Sequence, residues 1–280
     1  MPPVSSSRPI PVSSLPAPLC QGLQYLFADI DDTLTTDGML ADFSYASLWE
    51  LSRAGIRIVP VTGRPAGWCD HIARMWPVAA VVGENGAFVY SYDRTARRMK
   101  RRRQQDSSSA RADILQRVAE RVLKEVPGTA LAADQPFRIS DVAIDYCEDV
   151  PPLPTEKVDA ICRVLAQEGV HFKVSSIHVN FWMGDFDKLS GARMFVEEDT
   201  GAPFSELAEK AIFIGDSPND EPLFEGFPHS IAVGNIRSFL PRISHLPEFI
   251  TRADCSAGFR EAAQIILSRR RPVSQSTLGQ

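Results

Sequence analysis

Short apolar runs alternate along this chain with stretches whose apolar positions recur every three or four residues. The first texture marks buried strands and the second marks helices with one face on a core. Residues 23–28 read as a strand, and residues 44–54 as an amphipathic helix closed by Gly55 just past its end. Residues 56–61 form a second strand, residues 66–75 a helix and residues 79–82 a short third strand. From Phe88 to Asp185 the links become longer and more polar. Strands are expected there at 88–90, 139–146, 171–174 and 177–182, with helices at 111–126 and 155–168, the latter stopping at Gly169. After Lys188 the first rhythm resumes: helix 190–198, strand 211–214, helix 221–225 and strand 230–233. Strands alternating with helices predict an α/β fold, a parallel sheet with helices on both faces. The stretch in between predicts an inserted α+β domain.

The expected organisation is therefore a core domain from residues 21–87 and 186–267, an inserted domain at 88–185, and disordered tails at 1–20 (rich in Pro and Ser) and 268–280. At 280 residues and 44% hydrophobic, the chain can bury a full core. Its net charge of −5 gives no overall pull toward nucleic acid or membrane. No apolar stretch approaches the ~20 residues that span a bilayer, and residues 1–18 lack the basic head and apolar middle of a secretory signal. The basic run at residues 97–103 has no interleaved aromatics and reads as a solvated loop rather than a nucleic-acid patch. The five cysteines are odd in number and lack C-x-x-C spacing, so neither a disulfide framework nor a zinc site follows, and a reducing cytoplasm is expected.

Candidate chemistry lies at the ends of the apolar runs. Residues 26–35 read Leu-Phe-Ala-Asp-Ile-Asp-Asp-Thr-Leu-Thr, with Asp29, Asp31 and Asp32 crowded after the first strand. Carboxylates so placed repel one another, and a hard divalent cation such as Mg²⁺ relieves that conflict. Residues 211–220 repeat the device, ending in Gly215-Asp216-Ser217-Pro218-Asn219-Asp220. Ligands of open parallel sheets bind beyond the carboxyl ends of the strands, so the two acidic groups can meet in one crevice. The second strand ends in Thr62-Gly63-Arg64, a hydroxyl and backbone N–H groups suited to phosphate oxygens, and Lys188 offers a point charge for the same anion. Taken singly, Thr62 fits a helix N-cap equally well, Lys188 a solvated surface and Asn219-Asp220 a turn.

The ordered set resembles the haloacid dehalogenase (HAD) superfamily of phosphohydrolases from about Leu23 to about Ile266. Its D-x-D-x-T motif is matched by Asp29, Asp31 and Thr33, its strand-ending Thr by Thr62, its Lys by Lys188, and its G-D-x-x-N-D by Gly215, Asp216, Asn219 and Asp220. One departure is Leu189, where the sugar-phosphatase branch usually has Gly after the Lys. The resemblance implies a Rossmann-like core with a C2-type cap, because the insertion falls between the second and third motifs. It implies a Mg²⁺-dependent phosphatase acting on a small phosphorylated metabolite, most often a sugar phosphate, with no nucleic-acid or membrane partner. Asp29 would be the nucleophile that forms an aspartyl-phosphate, and Asp31 the proton donor and acceptor. Mg²⁺ would be held by Asp29, the Asp31 backbone carbonyl and Asp216, with Asp220 positioning Lys188 or a metal-bound water. Thr62, Lys188 and Asn219 would hold phosphate. Asp31 and the metal point away from C–Cl dehalogenation; a phosphomutase, a nucleotide phosphatase and a non-catalytic interaction module are the alternatives. For the leaving group, His178 and Asn180 share one face of a strand by their spacing, and Arg64, Asn85 and Arg138 are further substrate candidates.

Overall fold

The computed structural model describes residues 8–104, 109–175 and 177–270. Six parallel strands form the central sheet in the order Ile10–Pro11, Phe249–Ile250, Ser230–Ala232, Ala211–Gly215, Tyr25–Ala28, Arg57–Pro60. Side chains alternate across a strand, and this chain uses the alternation to build two cores. Leu26, Ala28, Ile58, Ile212 and Ile214 face the helices Asp42–Arg53, Ala66–Met75 and Cys255–Arg269. Tyr25, Phe27, Val59, Ala211 and Phe213 face Lys188–Thr200, Phe204–Ala208 and Glu221–Gly226. The helices thus cover both faces of the sheet, as the alternating pattern predicts.

The inserted unit is a second sheet, antiparallel throughout, in the order His171–Val174, His178–Trp182, Asp141–Asp145, Ala130–Leu131. Val142, Ile144, Val179 and Phe181 pack under the helices Ser109–Glu125 and Thr155–Glu168. The opposite face carries Asp141, Ala143 and Asp145, registered across from Trp182, Asn180 and His178. This polar face is the one that meets the core domain.

Three expectations are corrected. The stretch 88–103 belongs with the core: Phe88–Asp93 pairs with Val81–Gly83 on one side and Arg98–Arg103 on the other, and Phe88, Val89 and Tyr90 are buried in the two cores. On its other edge Val81–Gly83 meets the end of the parallel sheet through a Val61–Val82 bridge, with the Thr62 N–H donating to the Val82 carbonyl at 2.9 Å. The basic run is an edge strand, not a loop. Charged side chains suit an edge because they discourage further pairing, and here Arg101 pairs with Asp70 and Arg102 with Glu198. At the N-terminus, residues 8–20 are not a tail: Ile10–Pro11 adds a sixth strand and Val12, Leu15 and Cys20 are fully buried. Prolines are tolerated at an edge strand and in a first helical turn, so their abundance there misled the composition argument. Residues 1–7 and 271–280 lie outside the described residues, while the last helix runs to Arg269. Among the described residues the cysteines form no disulfide, and no helix is long and apolar enough to cross a membrane.

Candidate active site

Three neighbouring strands deliver the site. Asp29 follows Tyr25–Ala28 and its N–H donates to the Ile214 carbonyl, so it is tied to the strand that ends beside Asp216. Thr62 follows Arg57–Pro60. Carboxylate oxygens of Asp29, Asp216 and Asp220, all buried, lie within 4.8 Å of one another. Residues almost two hundred positions apart therefore converge as the strand-end rule requires.

Lys188 enters this cluster as the first residue of Lys188–Thr200. Asp187 caps that helix by accepting from the Ser190 N–H at 2.7 Å, while Ser190 Oγ accepts from the Asp187 N–H at 2.9 Å. This reciprocal cap fixes where the helix begins, and so where Lys188 points. Its Nζ donates to Asp29 Oδ1 at 2.8 Å and Asp220 Oδ1 at 2.7 Å. Gly86, with φ of 103°, passes so close to the Asp187 carbonyl that a Cβ would collide with it. The surface reading of Lys188 is excluded: it is 2% exposed.

The electrostatics follow from crowding in a dry place. Burial, against the pull of Lys188 and helped by Asp220 and Asp31, pushes Asp29 up to about 8. Burial first, then Asp220 and Asp29, raises Asp216 well above the usual carboxylate range. Burial opposes the Lys188 charge, but Asp220 and Asp29 outweigh it and hold its pKa above the ordinary lysine value. One lysine thus offsets only part of three carboxylates, and an all-oxygen donor set of this kind fits Mg²⁺. Asp220 also accepts from the Asp216 N–H at 3.0 Å, which ties the two ends of the loop together.

Asp31 departs from the cluster. Its carboxylate is held by Arg64, whose Nε donates to both oxygens at 3.1 Å and whose second guanidinium nitrogen donates to Oδ1 at 2.8 Å. Asp31 therefore brings no side-chain oxygen to the cluster of Asp29, Asp216 and Asp220. Thr62 is fully buried and its Oγ1 accepts from the Arg64 N–H at 3.0 Å within the loop; Pro65, not Thr62, is the N-cap of the helix Ala66–Met75. Asn219 Oδ1 accepts from Ser217 Oγ at 2.7 Å at the edge of the crevice.

The cap closes over this floor. Arg64, Arg138, His178, Asn180, Ser175 and Ile177 line the crevice with Asp29, Asp31 and Asn219, leaving about 20 Å³, room for roughly one water. Asn180 donates to Asp141 Oδ2 at 2.9 Å, and Arg138 reaches both Asp141 and the Gly63 carbonyl at 3.0 Å, bridging cap and core. A larger cavity of about 250 Å³ lies behind Arg138 and Asp141 and holds none of the motif carboxylates. Asn85 does not join the crevice lining: it sits in a left-handed conformation (φ of 55°) beside Gly63, its Nδ2 buried without a partner.

Sequence reasoning missed three contributors. Asn235 donates to Asp216 Oδ2 at 3.0 Å and to the Asp32 carbonyl at 3.2 Å. It follows the Ser230–Ala232 strand, so the strand-end rule would have found it. Glu84 is fully buried and accepts N–H groups of Ala66 at the start of a core helix and of Ile139, Ser140 and Asp141 in the cap. Glu148 meets Arg64 at 3.0 Å from the cap side. Neither has a sequence signal, because each owes its place to the docking of two domains.

A sequence model of the haloacid dehalogenase-like hydrolases matches residues 26–121. Among curated protein sequences none matches the chain. In fold the chain is similar to a Thermoplasma acidophilum protein at 15% identity, with a TM-score of 0.67 over 87% of this chain and 98% of that one. It is similar to the sucrose-phosphatase from Synechocystis, solved with sucrose and phosphate, at 15% identity and a TM-score of 0.59 over 87% and 97%. A trehalose-6-phosphate phosphatase related protein follows at 17% identity and 0.58 over 88% and 97%. In sequence the chain matches the haloacid dehalogenase-like hydrolases across residues 26–121, and in fold it is similar to these solved structures over most of its length.

Proposed function

We propose that the protein is a Mg²⁺-dependent phosphatase that hydrolyses a small phosphomonoester, a sugar or polyol phosphate, through an aspartyl-phosphate. The observation that carries this reading is the convergence of Asp29, Asp216 and Asp220 around Lys188, with Asp31 nearby but held clear of the cluster. Asp29, Asp216, Asp220 and the Asp31 carbonyl would hold Mg²⁺. When bound there, the ion supplies charge neutralisation and polarises phosphoryl oxygens.

In the proposed reaction an Asp29 oxygen bonds to phosphorus as the phosphorus–oxygen bond to the leaving group breaks. The leaving oxygen takes its proton from the Asp31 carboxyl. Water then attacks phosphorus, the bond to Asp29 breaks, and Asp31 accepts the proton that water gives up. Lys188 and Thr62, with Asn219 at the rim, hold the transferring oxygens while charge redistributes. The polar cap face bearing His178, Asn180 and Arg138 suits a hydroxyl-rich leaving group, and two of the similar structures are named for sucrose and trehalose phosphates. Cysteines that form no disulfide among the described residues suit a reducing cytoplasm.

The test is release of inorganic phosphate from a panel of sugar, polyol and nucleotide monophosphates, with Mg²⁺ and with chelator. Metal-dependent release from sugar or polyol phosphates, abolished in Asp29→Asn, is expected. Equal turnover by Asp29→Asn overturns the mechanism. Transfer of phosphate between hydroxyls without release favours a mutase, and activity confined to nucleotides overturns the substrate class.

A further inference from the structure

We infer that Glu148 is a positioning residue for Asp31, acting through Arg64, so that the proton donor is aligned by the cap. The inference rests on the phosphatase reading above and deepens it.

A guanidinium presents its N–H groups in a fixed planar fork, so holding two of its edges fixes its plane. One edge of Arg64 is given wholly to Asp31. The remaining nitrogen donates to Glu148 Oε1 at 3.0 Å, with Asp134 farther off at 3.9 Å. The face of the guanidinium lies over the Trp68 ring at 4.6 Å. Asp31, Arg64 and Trp68 belong to the core; Glu148 belongs to the cap. Arg64 is 5% exposed, so its orientation has few alternatives once all three contacts are made.

Glu148 is itself held in place. The Asp145 carboxylate accepts the N–H groups of Cys147, Glu148 and Asp149 at 2.9, 2.8 and 2.8 Å, which shapes the turn that projects the side chain. The second Glu148 oxygen lies 2.9 Å from His178 Nε2. The His178 ring first, then Arg64, holds the Glu148 carboxyl down to about 2 against its partial burial. Glu148 thus arrives as an anion, on a built turn, at the free end of the cation that grips Asp31. When the cap lifts, Arg64 loses one edge contact and Asp31 loses a fixed orientation. Proton delivery and closure are thereby coupled.

Glu148→Gln tests this, with kcat/KM measured on two substrates in Mg²⁺. One is the alkyl phosphate that the unaltered protein turns over best in the sugar and polyol panel, whose leaving oxygen needs the Asp31 proton. The other is p-nitrophenyl phosphate, whose leaving group departs as an anion. A loss of ~10–100-fold on the alkyl phosphate is expected, part of what a placed acid supplies, with no more than ~3-fold on the aryl phosphate. Retained aryl hydrolysis also reports that the variant is folded. Arg64→Lys should also lower kcat/KM on the alkyl phosphate, since an ammonium cannot grip both partners in one plane. Equal losses on the two substrates, or none on the alkyl phosphate, overturn the inference while leaving the phosphatase reading intact. An unaltered protein inactive toward both overturns that reading, and the inference with it.

Discussion

Replacing Lys188 by methionine strands charge in the driest part of the molecule. Methionine keeps much of the volume of the lysine stem, so the packing term is small. The ammonium, however, is 2% exposed and makes contacts of 2.8 Å to Asp29 and 2.7 Å to Asp220. Removing one partner of a buried ion pair costs about 3–5 kcal/mol, because the other charge stays uncompensated. Two carboxylates are left here, with Asp216 beside them, so the upper end of that range applies in chelator. A divalent cation that binds only the folded state restores about 2.7 kcal/mol at a hundred times its dissociation constant. The assay is urea unfolding of both proteins with EDTA and with saturating Mg²⁺. Lys188→Met should be strongly destabilised in EDTA and gain more from Mg²⁺ than the unaltered protein, since the competing ammonium is gone. In an Asp29→Asn, Asp220→Asn background the same replacement should cost much less, because fewer buried charges remain unpaired. Equal stability in EDTA, or the same loss in both backgrounds, refutes the claim that Lys188 balances this cluster.

Burial, with Asp141 adding to it, pushes the Glu84 carboxyl up to about 8 despite the N–H groups it accepts and the nearby Arg138. A raised value means its stabilising contribution is full below about pH 4.5, the ordinary glutamate range, and is lost as pH rises through about 8. Unfolding free energy from urea titrations should therefore fall across about pH 5 to 8 and level off above, by at most ~1.4 kcal/mol per pH unit from this group; Glu84→Gln should flatten the fall, and an unchanged slope refutes the assignment. Asn235→Ala removes the donor to Asp216 Oδ2, so Mg²⁺ activation should need ~10–100-fold more metal; an unaltered Mg²⁺ titration counts against it. Gly86→Ala forces a methyl into the Asp187 carbonyl at a backbone φ that alanine resists. Displacement of the Lys188 helix start should lower phosphate release more than a Gly38→Ala control at open φ-positive backbone, and equal effects refute a special role for this contact.

Strand and helix periodicity, together with the acidic residues at the ends of apolar runs, made the α/β core and the motif positions legible in the sequence alone. Those signals are local: alternation of side chains, a glycine after a helix, a carboxylate after a strand. The helices Ala66–Met75 and Thr155–Glu168 came out at their expected bounds for that reason. Composition served less well. It assigned Ile10–Pro11 to a tail and Arg98–Arg103 to a loop, and in both cases pairing at a sheet edge overrode local preference. Only the tertiary structure decided that Asp31 turns to Arg64, that Asn85 sits beside the crevice rather than in it, and that Asn235, Glu84 and Glu148 matter. Each of these depends on which surfaces of two domains meet, a pairing between residues far apart in the chain that no local pattern encodes.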